Sequence, residues 1–385
     1  MNKKSQQLIA VSAGHFTIDF YMSLVPPILF AFSNTMGLNL TQQSMVSFVM
    51  ITCGSLFQPI VGHILDKTGK SSYLIISIIW ISFMMSMTGL VTNYFLLIIM
   101  VALASISSSI YHPLGSTIAV SLSKHSKGKS LSIFLAVGGF ASTFTPMISI
   151  PIVSKYGLAY LSFLMIPGFI VAYLLKFIEI DKIKCSFQGD KKGKVKKAEK
   201  TSKNKVKWLS LLVFMVSVRV VFQRMIIIFG VQLMIFKGID IFSAGVILSA
   251  HMFLRTLGTL SGGYLSDRFG ERRILIIFSL LAFGIYTMMI FAGGAWVAIG
   301  IIILGYAFNG ATTANITIAH HLLPNDINLG TGTIIGIPGT IGSILLLVFG
   351  KFADIYGLIE IAQISAIFWL IPVFISVYLS KIMIK

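Results

Sequence analysis

The sequence GHILDKTGK at residues 62–70 recurs as GYLSDRFGERR at residues 263–273. Both copies follow the pattern G-x-x-x-D-[KR]-x-G, and their aspartates lie 201 residues apart. This spacing predicts a duplicated unit, with each motif at a tight turn between two helices. A latch between conformations and a loop that only fixes topology are equally open interpretations. The predicted gating motif comprises Gly62, Asp66, Lys67, Gly69, Gly263, Asp267, Arg268 and Gly270.

The composition is that of a chain embedded in lipid. Of 385 residues, 56% are hydrophobic and only 11% are charged, and the mean hydropathy is +0.91. A soluble domain carries about 25% charged residues, so this apolar surplus requires lipid. We expect an all-α membrane protein whose twelve transmembrane helices form two six-helix pseudo-symmetric bundles. The twelve apolar stretches lie at residues 7–32, 42–65, 71–91, 94–121, 129–153, 157–177, 207–235, 241–265, 272–291, 294–319, 329–353 and 358–380.

The distribution of basic residues predicts the topology. The formal net charge of +18 arises mostly from lysines and arginines that fall on one side of the predicted spans. Cytoplasmic enrichment of this kind indicates a multi-pass protein of the cell membrane with both termini in the cytoplasm. It also explains the positive charge without nucleic acid. The predicted domains are a bundle at 1–177, a basic cytoplasmic linker at 178–206 and a second bundle at 207–385.

The first predicted span contains an acidic residue deep in the membrane. Asp19 is the one acid of the sequence that falls well inside a span, and His15 shares its helix face one turn earlier. Because a buried charge is costly in lipid, such a pair is a functional candidate. We predict that Asp19 and His15 carry a proton. The alternative is a structural hydrogen-bonded pair that holds span one against a neighbour.

The basic counterparts lie in the second half. Arg219 and Arg224 fall on span seven, and Arg255 falls on span eight one turn from His251. Arginine suits bidentate capture of a carboxylate, phosphate or phosphonate, so we predict an anionic solute. Pairing with Asp19, binding to backbone carbonyls or, for Arg224, snorkelling are the alternatives. The predicted substrate-binding residues are Arg219, Arg255, Tyr111, His251, Arg224 and Gln223.

Span four contains the sequence Tyr111-His112-Pro113. Proline interrupts the helical hydrogen-bond ladder, so His112 either lines the solute path or bonds a carbonyl freed by the break. No metal-ligand spacing and no nucleotide-binding G-x-x-x-x-G-K-[ST] pattern occurs in the sequence. We therefore expect no cofactor, no metal and no use of ATP.

The stretches that carry a family resemblance are Gly14-His15 with Asp19, residues 57–62, residues 108–113, residues 132–134 with 137–139, and residues 319–324. The duplicated loop motif resembles that of the major facilitator superfamily, and these finer matches resemble its fosmidomycin-resistance family of drug exporters. The resemblance implies a proton-coupled exporter of small anionic antibiotics, with His15, Asp19 and His112 as coupling residues. Leu114 and Thr117 depart from the glutamate and arginine that the family usually carries there. On span five, Thr145-Pro146 stands where the antiporter pattern that this resemblance implies has Gly-Pro.

The residues together with this resemblance thus predict a secondary transporter that exports a small anionic or amphiphilic compound in exchange for protons. Alternating access between the two halves would carry the solute past a midplane site. An importer or facilitator of an organic or phosphorylated anion is the main alternative. An intramembrane enzyme is a further one, although no nucleophile or metal site is visible. The expected partners are the solute, protons and membrane lipid, and the chain is expected to act as a monomer.

Overall fold

The computed structural model describes residues 3–56, 70–122, 127–183, 203–322 and 327–382. Within these ranges the chain is a succession of helices, several of which continue through short 3-10 turns. The helices of the first half are α1 (Lys3–Met22), α2 (Leu29–Met36), α3 (Leu40–Leu56), α4 (Ser72–Met87), α5 (Tyr94–Ser121), α6 (Lys127–Tyr156) and α7 (Met165–Phe177).

The second half repeats this succession. Its helices are α8 (Lys203–Phe236), α9 (Ile241–Phe269), α10 (Glu271–Phe291), α11 (Ala295–Asn309), α12 (Thr312–Leu322), α13 (Ile327–Tyr356), α14 (Leu358–Ser365) and α15 (Leu370–Ile382).

Eleven helical stretches of the described chain are long and apolar enough to cross a membrane. A helix satisfies its backbone hydrogen bonds within itself, which is the requirement for a segment surrounded by hydrocarbon. The stretch predicted at 42–65 is described only as far as Leu56, and its remainder lies outside the described residues. The all-α membrane fold predicted from the sequence is confirmed.

The helix bounds repeat with the offset seen in the loop motif. Helices α6 and α13 each have 30 residues and end at tyrosines 200 positions apart. Both stop at a glycine in a backbone region that other residues rarely adopt, Gly157 at φ +92° and Gly357 at φ +97°. These matching ends are what a duplicated unit predicts.

The chain forms two compact units. The first comprises Met1–Leu38 and Val49–Lys192, and the second comprises Asn39–Phe48 and Gly193–Lys385. Helix α3 is therefore divided, because its first turns pack with the second unit. Most of the predicted linker, residues 184–202, lies outside the described residues, so the predicted domain limits remain a prediction.

In each unit the first long helix packs against most of the other helices. Helix α1 packs against α4, α5, α6 and α7, and α8 packs against α9, α11, α12, α13 and α15. The residues predicted to be functional on α1 and α8 are thus placed where several helices of their own unit meet. This placement is what allows them to contact side chains that are distant in the sequence.

The first turn of α3 is held by a carboxylate of the second unit. Asp354, near the end of α13, accepts hydrogen bonds from the backbone nitrogens of Leu40 at 2.7 Å and Thr41 at 3.0 Å, and from the Thr41 hydroxyl at 2.6 Å. The free N–H groups at a helix start attract an anion. Gly350 permits this close approach, because a Cβ there would lie 2.9 Å from the carbonyl oxygen of Leu40.

The two ends of the first unit are joined by an ion-pair network. Glu179 accepts from Lys182 and from Lys3, each at 2.5 Å. Hydrogen bonds from Lys182 and then Lys3, supported by their positive charges, lower the pKa of Glu179 to about 2. The start of α1 and the segment after α7 therefore lie side by side.

Candidate functional site

Three predicted coupling residues meet in the first unit. His15 and Asp19 lie on consecutive turns of α1, and His112 reaches them from α5. The Nε2 atom of His15 lies 3.3 Å from Oδ2 of Asp19, and Nε2 of His112 lies 3.4 Å from Oδ1 of the same carboxylate. The two imidazoles also meet directly, with 3.1 Å between Nε2 of His15 and Nδ1 of His112. The three side chains form a closed ring of polar contacts, called here the coupling cluster.

The three side chains of the coupling cluster differ in their exposed fraction. The His15 side chain is 4% exposed, whereas those of Asp19 and His112 are 25% and 32% exposed. Asp19 and His112 are therefore the members of the cluster that are open to their surroundings. This difference in exposure is a property of the packing that the sequence did not reveal.

Helix α6 fixes the orientation of His15. Its Nδ1 atom lies 2.7 Å from the carbonyl oxygen of Phe134, and the imidazole stacks on the Phe134 ring at a centroid distance of 4.0 Å. A carbonyl oxygen only accepts hydrogen bonds, so Nδ1 of His15 carries a hydrogen. Its Nε2 atom is then left to face Asp19 and His112.

The proton content of the cluster follows from these contacts. If both histidines are neutral and Asp19 is ionised, two of the three contacts hold no hydrogen and set lone pairs against each other. One further proton on Nε2 of His15 supplies a hydrogen toward both His112 and Asp19. The contacts are therefore best satisfied when the cluster is neutral overall and holds one proton more than its minimum.

The same ligand atoms of His15, Asp19 and His112 lie within 4.8 Å of one another, the one such grouping of histidine, cysteine and acidic side chains in the described ranges. One hydrogen bond of 3.1 Å between the imidazoles and two ion-pair contacts of 3.3 and 3.4 Å to Asp19 account for the arrangement without an ion. The expectation of no metal remains a prediction.

The two departures from the family pattern follow His112 on α5. Leu114 is fully buried, and the Thr117 hydroxyl donates to the carbonyl oxygen of Pro113 at 2.9 Å. A buried apolar side chain thus stands in the place of the acid, and a local hydrogen bond next to the proline stands in the place of the base.

Tyr111 lies in the core of the first unit. It is fully buried, and its hydroxyl donates to the carbonyl oxygen of Val11 at 2.8 Å. Gly14 makes room for it, since a Cβ there would lie 2.0 Å from the hydroxyl oxygen. This placement ties α5 to α1 and does not support the predicted contact with a solute.

In the second unit, Arg219 is bound to backbone. Its guanidinium donates to the carbonyl oxygens of Phe308 at 2.8 Å and Ala307 at 3.3 Å, and to the Ser279 hydroxyl at 3.4 Å. These carbonyls lie in the last turn of α11, whose helix ends at Asn309. Cations stabilise the carbonyl end of a helix. The contacts match the alternative in which this arginine binds backbone carbonyls.

Arg224 has a different environment. It lies close enough to Arg255 for the two guanidinium charges to repel each other. Its Nε atom is buried and has no hydrogen-bond partner among the described residues. A second guanidinium beside this buried donor disfavours another cation and favours an anion. An anion bound at Nε of Arg224 would supply the missing acceptor.

Gln223 and His251 connect the helices around this arginine pair. The amide nitrogen of Gln223 donates to Asn309 Oδ1 at 3.1 Å, and Asn309 donates in turn to the Thr259 hydroxyl at 3.2 Å. His251 is fully buried and donates from Nδ1 to the carbonyl oxygen of Ile301 at 2.7 Å. These contacts join α8, α9 and α11. The amide nitrogen of Gln223 and Nδ1 of His251 thus support the site by bonding protein atoms, whereas Nε2 of His251 is buried without a hydrogen-bond partner among the described residues.

The first copy of the gating motif, Gly62, Asp66, Lys67 and Gly69, lies outside the described residues. In the second copy, Asp267 and Arg268 are exposed at the end of α9, and Gly270 follows at φ +84° as the helix stop. The close approach of α9 to α11 and the following turn occurs one residue before the motif glycine. A Cβ on Gly262 would lie 2.0 Å from the carbonyl oxygen of Gly310, whereas one on Gly263 would make ordinary contact with Thr313 at 3.5 Å.

Phe134 was missed by sequence reasoning. Its contribution to the coupling cluster is a backbone carbonyl and an aromatic face, neither of which is a polar side chain in a span. The available signal was the stretch at residues 132–139 of span five, which matched the family pattern without an assigned role.

Comparison with known proteins supports the class that this fold defines. The family model described as Major Facilitator Superfamily matches residues 11–329. The fosmidomycin resistance protein of Escherichia coli (strain K12) is 26% identical over 353 residues, which cover 90% of this chain and 86% of the relative. The uncharacterized MFS-type transporter YfnC of Bacillus subtilis (strain 168) is 24% identical over 360 residues, which cover 91% and 87%.

Two solved structures share the fold. A bacterial homolog of the human lysosomal transporter Spinster, in an inward-facing and occupied conformation, has a TM-score of 0.82 and 14% identity, and covers 99% of this chain and 97% of its own. The nucleoside transporter NupG has a TM-score of 0.79 and 14% identity, and covers 98% and 99%.

The chain belongs to the Major Facilitator Superfamily. It is a multi-pass membrane transporter of a small-molecule substrate, and membership of this family sets aside the enzyme considered from the sequence. Its resemblance to the fosmidomycin resistance protein extends over most of both chains.

Proposed function

We propose that this transporter is a proton-coupled antiporter that exports a small anionic or amphiphilic compound, such as a phosphonate antibiotic, by alternating access. The observation that carries the proposal is the coupling cluster, in which one carboxylate contacts two imidazoles deep in a membrane span. The likeness to a protein named for fosmidomycin resistance supports the class of solute.

The cluster holds the transported proton in this mechanism. In its protonated form it is neutral, and every contact among His15, Asp19 and His112 contains a hydrogen. Loss of one proton leaves a net negative charge and two contacts without hydrogen. The protonated and deprotonated forms therefore favour different arrangements of α1 and α5, which is the condition for linking proton release to a conformational change.

The anionic end of the solute binds in the second unit between Arg224 and Arg255. Their mutual repulsion and the buried Nε of Arg224 are both relieved by an anion. Arg219 acts beside this pair by holding the end of α11, and Gln223 and His251 fix the facing helices. The substrate role that the sequence predicted for the three arginines is thus proposed for two of them.

The remaining parts of the proposal concern the setting of the protein. It works as a monomer in the cell membrane, with both termini and the basic linker in the cytoplasm, where the positive-inside rule places them. The proton gradient replaces any cofactor or nucleotide as the source of energy.

Transport into proteoliposomes tests the direction of coupling. Purified protein in vesicles with an acidic interior should accumulate labelled fosmidomycin, because protons leave as the solute enters. A symporter would accumulate the solute only when the exterior is acidic. This readout does not depend on how the protein is oriented in the vesicles. Accumulation under the exterior-acid gradient alone would contradict antiport, and no transport of any anion tested would contradict the proposed solute class.

A further inference from the structure

The backbone of helix α6 contacts the imidazole of His15 at Gly138, which has no side chain. A Cβ built on Gly138 would lie 2.3 Å from Cε1, 2.4 Å from Nδ1 and 2.6 Å from Nε2 of that ring. These distances are far below any real carbon contact, so no residue with a side chain fits there while His15 keeps its place. The neighbouring Gly139 has nothing within 4 Å of its Cβ position. The close approach is specific to one of two adjacent glycines.

Gly138 and Phe134 lie one turn apart on the same face of α6, and both contact the imidazole of His15. Phe134 provides the stacking surface and the carbonyl acceptor, and Gly138 provides the space. Together they determine that Nδ1 of His15 donates to the Phe134 carbonyl and that Nε2 faces Asp19 and His112. The ionisable groups around His15 are Asp19 on α1 and His112 with Tyr111 on α5, while Phe134 and Gly138 carry none.

We propose that Gly138 is a positioning residue for proton coupling, whose absent side chain allows His15 to sit between the Phe134 carbonyl and the other two cluster residues. This inference rests on the proposed coupling role of the cluster and adds the element that sets its geometry. Any side chain at position 138 displaces the imidazole from Phe134 and breaks the contacts of 3.1 and 3.3 Å to His112 and Asp19.

The first test compares Gly138→Ala with Gly139→Ala in proteoliposomes. Both changes add one methyl group to the same helix, so they share any gain in helix propensity. Gly138→Ala should lower the accumulation of labelled fosmidomycin under an interior-acid gradient at least about tenfold. A shift of a functional side chain by about 1 Å reduces activity by at least this factor. The pH profile of Gly138→Ala should shift, while Gly139→Ala follows the unsubstituted protein. An unchanged pH profile in Gly138→Ala would overturn the proposal.

The second test is a double-substitution cycle on thermal stability in detergent, which needs no transport and no fully active variant. Gly138→Ala should lower the denaturation midpoint when His15 is present. In a His15→Ala background the same change should cost almost nothing, because the ring that collides with the new methyl group is gone. An equal loss in both backgrounds would overturn the positioning role. Coupling by the cluster is tested separately by transport, so the two hypotheses can fail independently.

Discussion

The Nε2 atom of His15 lies 3.1 Å from the Nδ1 atom of His112, so two imidazoles from different helices share one hydrogen. Each of them also faces one oxygen of Asp19. Because a nitrogen–nitrogen contact at this distance needs one donor and one acceptor, the protonation of one histidine determines the tautomer of the other. The proton on this cluster is therefore a shared property of three side chains.

Replacing His112 tests this sharing. In His112→Gln the amide still donates to Asp19, but it does not take up a proton. We expect gradient-driven accumulation to fall and its dependence on pH to flatten. The measurement is initial uptake in proteoliposomes over a series of internal pH values.

Tyr111→Phe is the matched control, since it removes a polar group from the neighbouring position. It breaks the hydrogen bond to Val11 and should lower thermal stability without changing the shape of the pH profile. A pH profile for His112→Gln that overlays that of the unsubstituted protein would remove His112 from the coupling cluster.

The two arginines of α8 should respond differently to truncation. Arg219→Ala leaves the buried carbonyls of Ala307 and Phe308 without their donor, which we expect to destabilise the protein by about 2 kcal/mol. Arg224→Ala removes one of two repelling charges and should leave stability nearly unchanged. The midpoint of thermal denaturation in detergent distinguishes the two variants. A stable Arg219→Ala protein that has lost anion binding would return Arg219 to the substrate role expected from the sequence.

Anion binding should depend on the arginine pair formed by Arg224 and Arg255. Arg224→Gln keeps a polar side chain but loses the charge, and we expect the affinity for fosmidomycin to fall at least about tenfold, or about 1.4 kcal/mol. The measurement is the shift in denaturation midpoint with increasing ligand, because a ligand that binds only the folded state stabilises it. Arg268→Gln, an exposed change at the end of α9, serves as the charge-matched control. Equal affinity in the Arg224 and Arg268 variants would place the solute elsewhere.

The contact between Asp354 and the start of α3 predicts a stability effect in the second unit. Asp354→Ala removes the acceptor for two backbone nitrogens and one hydroxyl, at a cost of about 0.5–1 kcal/mol. Thr41→Val removes only the hydroxyl bond, so its cost should be smaller and should disappear when Asp354 is already alanine. Additive effects of the two changes would show that the contact does not form in solution.

The membrane spans and the three residues of the coupling cluster were predictable from the sequence, because both depend on local sequence. Apolar stretches report the spans directly, and Asp19 with His15 one turn away is visible as a polar pair in an apolar helix. His112 was marked by the proline that follows it.

What the sequence did not reveal depends on contacts across helices. The carbonyl of Phe134 is invisible in a list of side chains, and the direction of a guanidinium is not encoded by its depth. Arg219 and Arg224 lie on the same helix, five residues apart. Arg219 donates to the end of α11, whereas Arg224 has a buried Nε without a protein partner among the described residues.

Transport by Asp19→Asn tests the central claim most directly. The amide keeps the size of the side chain but does not hold the exchangeable proton of the cluster. In vesicles with equal pH on both sides, exchange of labelled for unlabelled solute should continue, because that half-cycle needs no net proton movement. Under an interior-acid gradient, accumulation should be abolished. Accumulation by Asp19→Asn equal to that of the unsubstituted protein would contradict the account.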